Sequence, residues 1–91
     1  MAGFTANEVF RDIAEIARSG GSLGDRRARS ERRIDEFKID LGKQLPRPGD
    51  AQKIRGQLRT KIERVLNNRD IVGDIDSVFR TALDRLTGSK S

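Results

Sequence analysis

Apolar side chains recur at helical spacing in four separate stretches of the chain, and this periodicity constrains the fold more than any other feature. Apolar residues three or four positions apart lie on one face of an α-helix, which buries that face against other helices. No stretch alternates apolar and polar residues as a half-buried strand does, and no hairpin dipeptide lies between β-branched runs. The sequence therefore predicts an all-α protein without a sheet.

The first of these stretches has helix signals at both ends. Thr5 and Glu8 have the spacing of a capping box, in which each side chain bonds the backbone N–H of the other residue. Phe4 and Val9 fall at the two positions of a hydrophobic staple, which fixes the entry of the chain into the helix. The sequence "RSGG" then predicts the end of this helix, with a cation in the last turn and glycines after it.

Prolines, glycines and capping residues delimit the other helices. A Pro-containing break at residues 46–48 ends the second helix and separates the chain into two halves. Asp50 is the predicted N-cap of the third helix, Asn68 or Asp70 caps the fourth, and Gly88 ends it. We therefore predict helices near residues 5–18, 23–43, 51–67 and 70–87, with a frayed tail over residues 88–91.

The four stripes together supply enough apolar side chains for one shared core. Because short loops favour antiparallel neighbours, we expect a small four-helix bundle that forms a single domain over residues 1–91. In the alternative arrangement, the third and fourth helices form a hairpin, and the first half packs loosely or on another chain. A chain of 91 residues has a thin margin of stability, so a partner or self-association is expected.

Composition excludes most catalytic chemistry. The chain has no cysteine and no histidine, so it lacks disulfides, thiolate or imidazole metal ligands and a proton carrier that titrates near neutral pH. The glycine-rich segment "SGGSLGD" lacks the lysine of a phosphate-binding loop. We expect no enzymatic activity, no cofactor, no metal and no small-molecule substrate. No stretch has the length of a membrane span and no signal peptide is visible, so we expect a cytoplasmic protein.

A basic block opens the second helix, which Ser22 or Asp25 is predicted to cap. It has three interpretations: a solvated helix face, a phosphate-binding surface and a contact surface for an acidic protein partner. All of its arginines except Arg26 have an acidic residue three or four positions away, so ion pairs within the helix would neutralise much of the positive charge. The candidate contacts for a polyanion or an acidic partner in this block are Arg26, Arg27, Arg29, Arg32 and Arg33.

The apolar stripe of the second helix stops halfway along it. Ile34, Phe37 and Leu41 form the stripe, but its backward extension passes through Ser30 and Arg27. Because an unpaired buried arginine is costly, we expect this half-helix to project past the core or to rest against an acidic surface. The sequence "RRARS" also matches a short kinase pattern with Ser30 as the acceptor, which is a weak signal.

A second basic block lies on the third helix. Its charges are spread around the helix more than they concentrate on one edge. In the alternative interpretation, the aliphatic parts of these side chains pack over the rim of the core and their charged groups lie in water. Amphipathic helices with basic flanks also suit acidic partners and membrane surfaces. The candidate contacts in this block are Lys53, Arg55, Arg59, Lys61 and Arg64.

Two hypotheses about function remain. The first is a non-enzymatic helical module for protein–protein interaction or assembly, which self-associates or docks on a larger complex. It rests on the small core and on the interrupted stripe of the second helix. The second is a small nucleic-acid-binding accessory protein that contacts phosphates with its arginine-rich helix surfaces. It rests on the two basic blocks and on the excess of arginine over lysine, fourteen to five.

Overall fold

The computed structural model describes residues 5–68 and 70–88, and these residues form four α-helices and no strand. The helices are α1 (Ala6–Arg18), α2 (Leu23–Gln44), α3 (Pro48–Asn67) and α4 (Gly73–Thr87). The radius of gyration of 12.8 Å is that of a packed domain of this size, for which about 13 Å is usual. The predicted all-α four-helix bundle is confirmed.

Capping residues fix several helix ends as the sequence predicts. Thr5 and Glu8 form the capping box of α1, with both backbone N–H groups donating to the opposite side chain over 3.1 Å. Ser22 rather than Asp25 caps α2, and its hydroxyl accepts from the Asp25 backbone N–H. Gly88 ends α4 in the left-handed conformation, with φ of 77°. The proposed staple residue Phe4 and the tail residues 89–91 lie outside the described residues.

The predicted cap of α3 is wrong. This helix begins at Pro48, with Arg47 as its N-cap residue, and Asp50 lies inside the first turn. Proline suits the first helical position because its ring fixes φ at a helical value and the missing N–H would have no partner there. Asp50 instead pairs with Arg47, 3.8 Å away, close to the positive end of the helix.

The predicted start of α4 is also wrong. The side chain of Asn68 accepts a hydrogen bond from the backbone N–H of Asp70 over 3.0 Å, which closes a local turn instead of capping a helix. The helix begins only at Gly73, and Val72 occupies the N-cap position without a side-chain bond. Ile71, which falls within the predicted helix near residues 70–87, therefore lies before α4 and is only partly buried.

The four helices do not all pack on their neighbours in sequence. The start of α2 lies beside the end of α1, where Arg26 bonds the Ala17 carbonyl, so these two helices run antiparallel. Arg26 also pairs with Asp74, and Asp35 pairs with Arg85 further along, so α2 and α4 run parallel. By contrast, α2 and α3 make the least contact of any pair. They diverge from the Pro-containing break, although we expected short loops to join packed neighbours.

All four stripes meet in one core. Phe10 of α1 and Phe79 of α4 stack with their ring centroids 5.9 Å apart, and Phe37 of α2 is fully buried. The first half of the chain is therefore packed against the second. Other buried apolar residues are Val9, Ile13, Ile34, Leu41, Leu58, Ile62, Val78, Ala82 and Leu86. None of the helices within residues 5–68 and 70–88 is long and apolar enough to cross a membrane.

Candidate functional site

The basic first half of α2 packs into the bundle and does not project past the core. Ser30 is completely buried, and its hydroxyl donates to the carbonyl of Arg27 over 3.0 Å. The serine therefore bonds its own helix, and its buried hydroxyl has a partner. Arg27 is exposed, although it lies on the backward extension of the stripe. Neither predicted alternative describes Arg27 itself, but its neighbours Arg26 and Arg33 each contact a carboxylate of another helix.

Arg26 joins α2 to both neighbouring helices. Its Nη1 donates to the Ala17 carbonyl over 3.0 Å, and its Nη2 donates to Asp74 Oδ2 over 3.2 Å. Ala17 lies in the last turn of α1, where carbonyls lack helical partners, and Asp74 lies in the first turn of α4, where acids are favoured. The side chain is only 12% exposed. The one arginine of this block without an acidic residue three or four positions away thus pairs with an acid of another helix.

Two further arginines of this block have intramolecular partners. Arg33 binds Asp12 of α1, with Nη2 2.6 Å and Nε 2.7 Å from the same carboxylate oxygen. Arg29 donates to the Ser19 hydroxyl over 3.0 Å and pairs with Asp25 at 3.2 Å, as the spacing predicted. Three of the five candidate arginines on α2 therefore hold the bundle together.

The remaining two candidates on α2 are exposed. Arg27 and Arg32 form no ion pair with any described residue, so the expected pairs with Glu31 and Glu36 are not formed. Glu36 lies instead 3.8 Å from Arg33. These two guanidinium groups are accessible, but they stand apart from the basic side chains of α3.

The five candidates on α3 differ from those on α2, because none of them forms an ion pair or a side-chain hydrogen bond with a described residue. Arg55 and Arg59 lie on the flank of α3 that faces α4, and Lys61 and Arg64 lie on the opposite flank, toward α1. Lys53 is exposed. The charge therefore lies on both sides of the buried stripe, and α3 presents the largest set of unpaired cations among the candidates.

A groove of about 530 Å³ separates α3 from parts of α2 and α4. Arg55 and Arg59 line one wall, and Lys38 of α2 lies opposite. No carboxylate lines this groove. The sequence alone missed Lys38, because only the packing of α2 on α4 brings it to α3. The other lining residues are Gln52, Gly56, Leu86, Thr87 and Gly88.

The end of α4 contributes a polar wall to this groove. Lys38 Nζ donates to the Arg85 carbonyl over 3.1 Å and so offsets the negative end of this helix. The Arg85 side chain points to Asp35, with Nη2 2.7 Å from Oδ2. That hydrogen bond, together with the charge of the carboxylate, raises the pKa of Arg85 above its ordinary value. The Arg85 guanidinium group is therefore positively charged and paired with the Asp35 carboxylate.

The opposite flank of α3 carries a second, smaller groove of about 340 Å³. Lys61 and Arg64 line it together with Asn7 of α1 and two polar side chains of α3, Gln57 and Thr60. This lining also contains no carboxylate. Both grooves beside α3 are therefore polar and positive, whereas the groove between α1 and α2 mixes arginines with Asp12.

The arrangement can bind anions, but it offers little else. No group of three acidic, histidine or cysteine side chains within the described residues could hold a metal ion. Ile39 and Val72, 62% and 66% exposed, are the only large apolar residues that the described part of the chain leaves exposed, and they lie on different segments. Comparison of the chain with protein families, with curated proteins and with solved structures found no match, so the residues themselves carry the functional argument.

Proposed function

We propose that this protein is a small accessory protein that binds nucleic acid through the phosphate contacts of α3. The observation that carries the proposal is the set of five α3 cations without an acidic partner among the described residues. Arg55 and Arg59 also stand four residues apart, where like charges disfavour a helix by about 0.2–0.5 kcal/mol. An external anion bound near both arginines would offset this repulsion.

The closed core favours a charged partner over an apolar one. The interrupted stripe of α2 was one reason to expect a contact with another chain, but Ser30 is completely buried within the bundle there. Protein interfaces have an apolar centre, whereas single exposed apolar residues are normal on any surface. Interfaces with nucleic acid are more polar and more positive, as both grooves beside α3 are.

Phosphate contacts without base recognition are the proposed mode of binding. Base stacking needs accessible aromatic rings, but among the described residues Phe37 and Phe79 are buried and Phe10 is stacked on Phe79. The exposed face of α4 carries Asp74 and Asp84, which would repel a phosphate backbone. Binding should therefore depend on salt far more than on base sequence.

The second candidate function is the protein–protein interaction or assembly module. Exposure of Ile39 and Val72 favours it, since an apolar anchor on a partner could cover either side chain. Replacement by lysine of whichever side chain lies in the interface should abolish such an association and should leave binding to nucleic acid intact.

The test of the first candidate measures binding of labelled nucleic acid by fluorescence anisotropy. Random duplex and single-stranded oligonucleotides are titrated with protein between about 50 and 200 mM salt. The logarithm of the association constant falls linearly with the logarithm of the salt concentration. We expect the double variant Arg55→Gln/Arg59→Gln to make this slope less steep by about 0.7–0.9 for each lost phosphate contact.

The charge-matched control is Arg27→Gln/Arg32→Gln, which removes two exposed cations from α2. Equal losses in the two double variants would show that net charge rather than α3 governs binding. Absence of any salt-dependent binding to either nucleic acid near about 50 mM salt would reject this function.

A further inference from the structure

We propose that the groove between α3 and the neighbouring parts of α2 and α4 seats the sugar-phosphate backbone of a single nucleic acid strand, which crosses α3 at Gly56. This inference rests on the proposed function and assigns the strand to one flank of α3. The groove has a volume of about 530 Å³, within the range of about 300–1,000 Å³ that accommodates small bound groups.

The charges around the groove favour a phosphate. Arg55 and Arg59 lie on its α3 wall without an acidic partner among the described residues, and their guanidinium groups match phosphate geometry. The end of α4 would otherwise repel an anion, but Lys38 bonds the Arg85 carbonyl there. The nearest acidic side chain on α3 is Glu63, four residues after Arg59, and it lines a different groove.

Gly56 gives the groove its open floor. Gly56 lines the groove in the middle of α3. A Cβ at this position would meet no atom of the neighbouring elements within 4 Å, so the space beside the helix is open. The missing side chain lets an outside backbone approach the helix closely between Arg55 and Arg59.

The shape of the groove favours a single strand over a duplex. Proteins that bind single strands through the backbone do so along positively charged grooves. A duplex is recognised instead by elements that enter its own grooves, such as a projecting helix. The open side of α3 is a recess between helices, so a flexible single strand can enter where a rigid duplex contacts only the rim.

The experiment fills the groove without removing charge. Leucine at Gly56 occupies open space, improves the helix propensity of α3 and leaves every cation in place. The matched control is Gly42→Leu, since Gly42 is another helical glycine with no atom of the neighbouring elements within 4 Å of a Cβ, and it lies outside the groove. Circular dichroism and urea unfolding confirm that both variants fold.

We expect the wild-type protein to bind a labelled single strand more tightly than a duplex of the same sequence. Gly56→Leu should weaken binding of the single strand by about tenfold, equivalent to about 1.4 kcal/mol, whereas Gly42→Leu should bind as the wild type does. Gly56→Ala should give a smaller loss in the same direction.

The outcomes separate the two proposals. If neither nucleic acid binds, the proposed function fails. If nucleic acid binds but Gly56→Leu retains the affinity of the wild type, or the duplex binds as tightly as the single strand, α3 remains the binding helix and only the groove assignment is overturned.

Discussion

Arg26 shows how one side chain can connect three helix ends. Its guanidinium group contacts the last turn of α1 and the first turn of α4, and its stem is covered by the bundle. The contact with Asp74 contributes little alone, because that carboxylate is exposed to water. The bond to the Ala17 carbonyl contributes more, since it satisfies a partly buried group that has no helical partner.

We predict that Arg26→Ala lowers the free energy of unfolding by about 1–2 kcal/mol, as measured by urea denaturation. The loss combines an unsatisfied carbonyl at the end of α1 with removal of a packed stem. Arg27→Ala is the control, because Arg27 is exposed and forms no ion pair with a described residue. Equal stability of the two variants would show that the contacts of Arg26 do not stabilise the fold.

The sequence around Ser30 resembles a kinase site, but Ser30 lies on a buried face of α2. Its side chain is completely buried and bonded to the Arg27 carbonyl. A phosphate at this position would place about two negative charges in the core. Modification of Ser30 would therefore require the start of α2 to leave the bundle first.

At the scale of the helices, α4 begins without a capping side chain. Val72 occupies its N-cap position with extended backbone angles, but it has no side chain that can accept from the first turn. We predict that Val72→Ser raises the free energy of unfolding by about 1 kcal/mol, measured by urea denaturation. The control Val72→Ala removes the same exposed apolar surface without adding a cap. If the serine and alanine variants are equally stable, the open start of α4 does not limit stability.

The sequence predicted the positions of the helices better than it predicted the contacts between them. The capping box at Thr5 and the terminal Gly88 were visible because cap chemistry is local. The start of α4 was not predicted, because Asn68 and Asp70 satisfy each other in a turn. The acidic partners of Arg26 and Arg33 on α4 and α1 were also missed. Asp74 lies far from Arg26 in sequence, and no local spacing rule connects them.

At the scale of the whole molecule, the basic residues divide into two groups. Ion pairs of α2 with α1 and α4 join these three helices, so much of the positive charge of α2 stabilises the bundle. The cations of α3 have no such partners among the described residues, and they lie beside its two polar grooves. The sequence shows two similar basic blocks, but only the packing distinguishes the block that stabilises the fold from the one that is available to a ligand.

The same division predicts that the protein is a monomer in the absence of nucleic acid. A stable dimer buries about 800 Å² on each partner around an apolar centre, and the described surface offers only Ile39 and Val72 as separate exposed apolar residues. The net charge of +5 adds repulsion between copies. We expect light scattering to give a mass of 10.2 kDa that does not change with protein concentration or with added salt.

A mass that rises toward twice this value would favour the assembly hypothesis. Ile39→Lys and Val72→Lys would then identify the surface responsible, because only the variant in the interface should return the protein to the monomer.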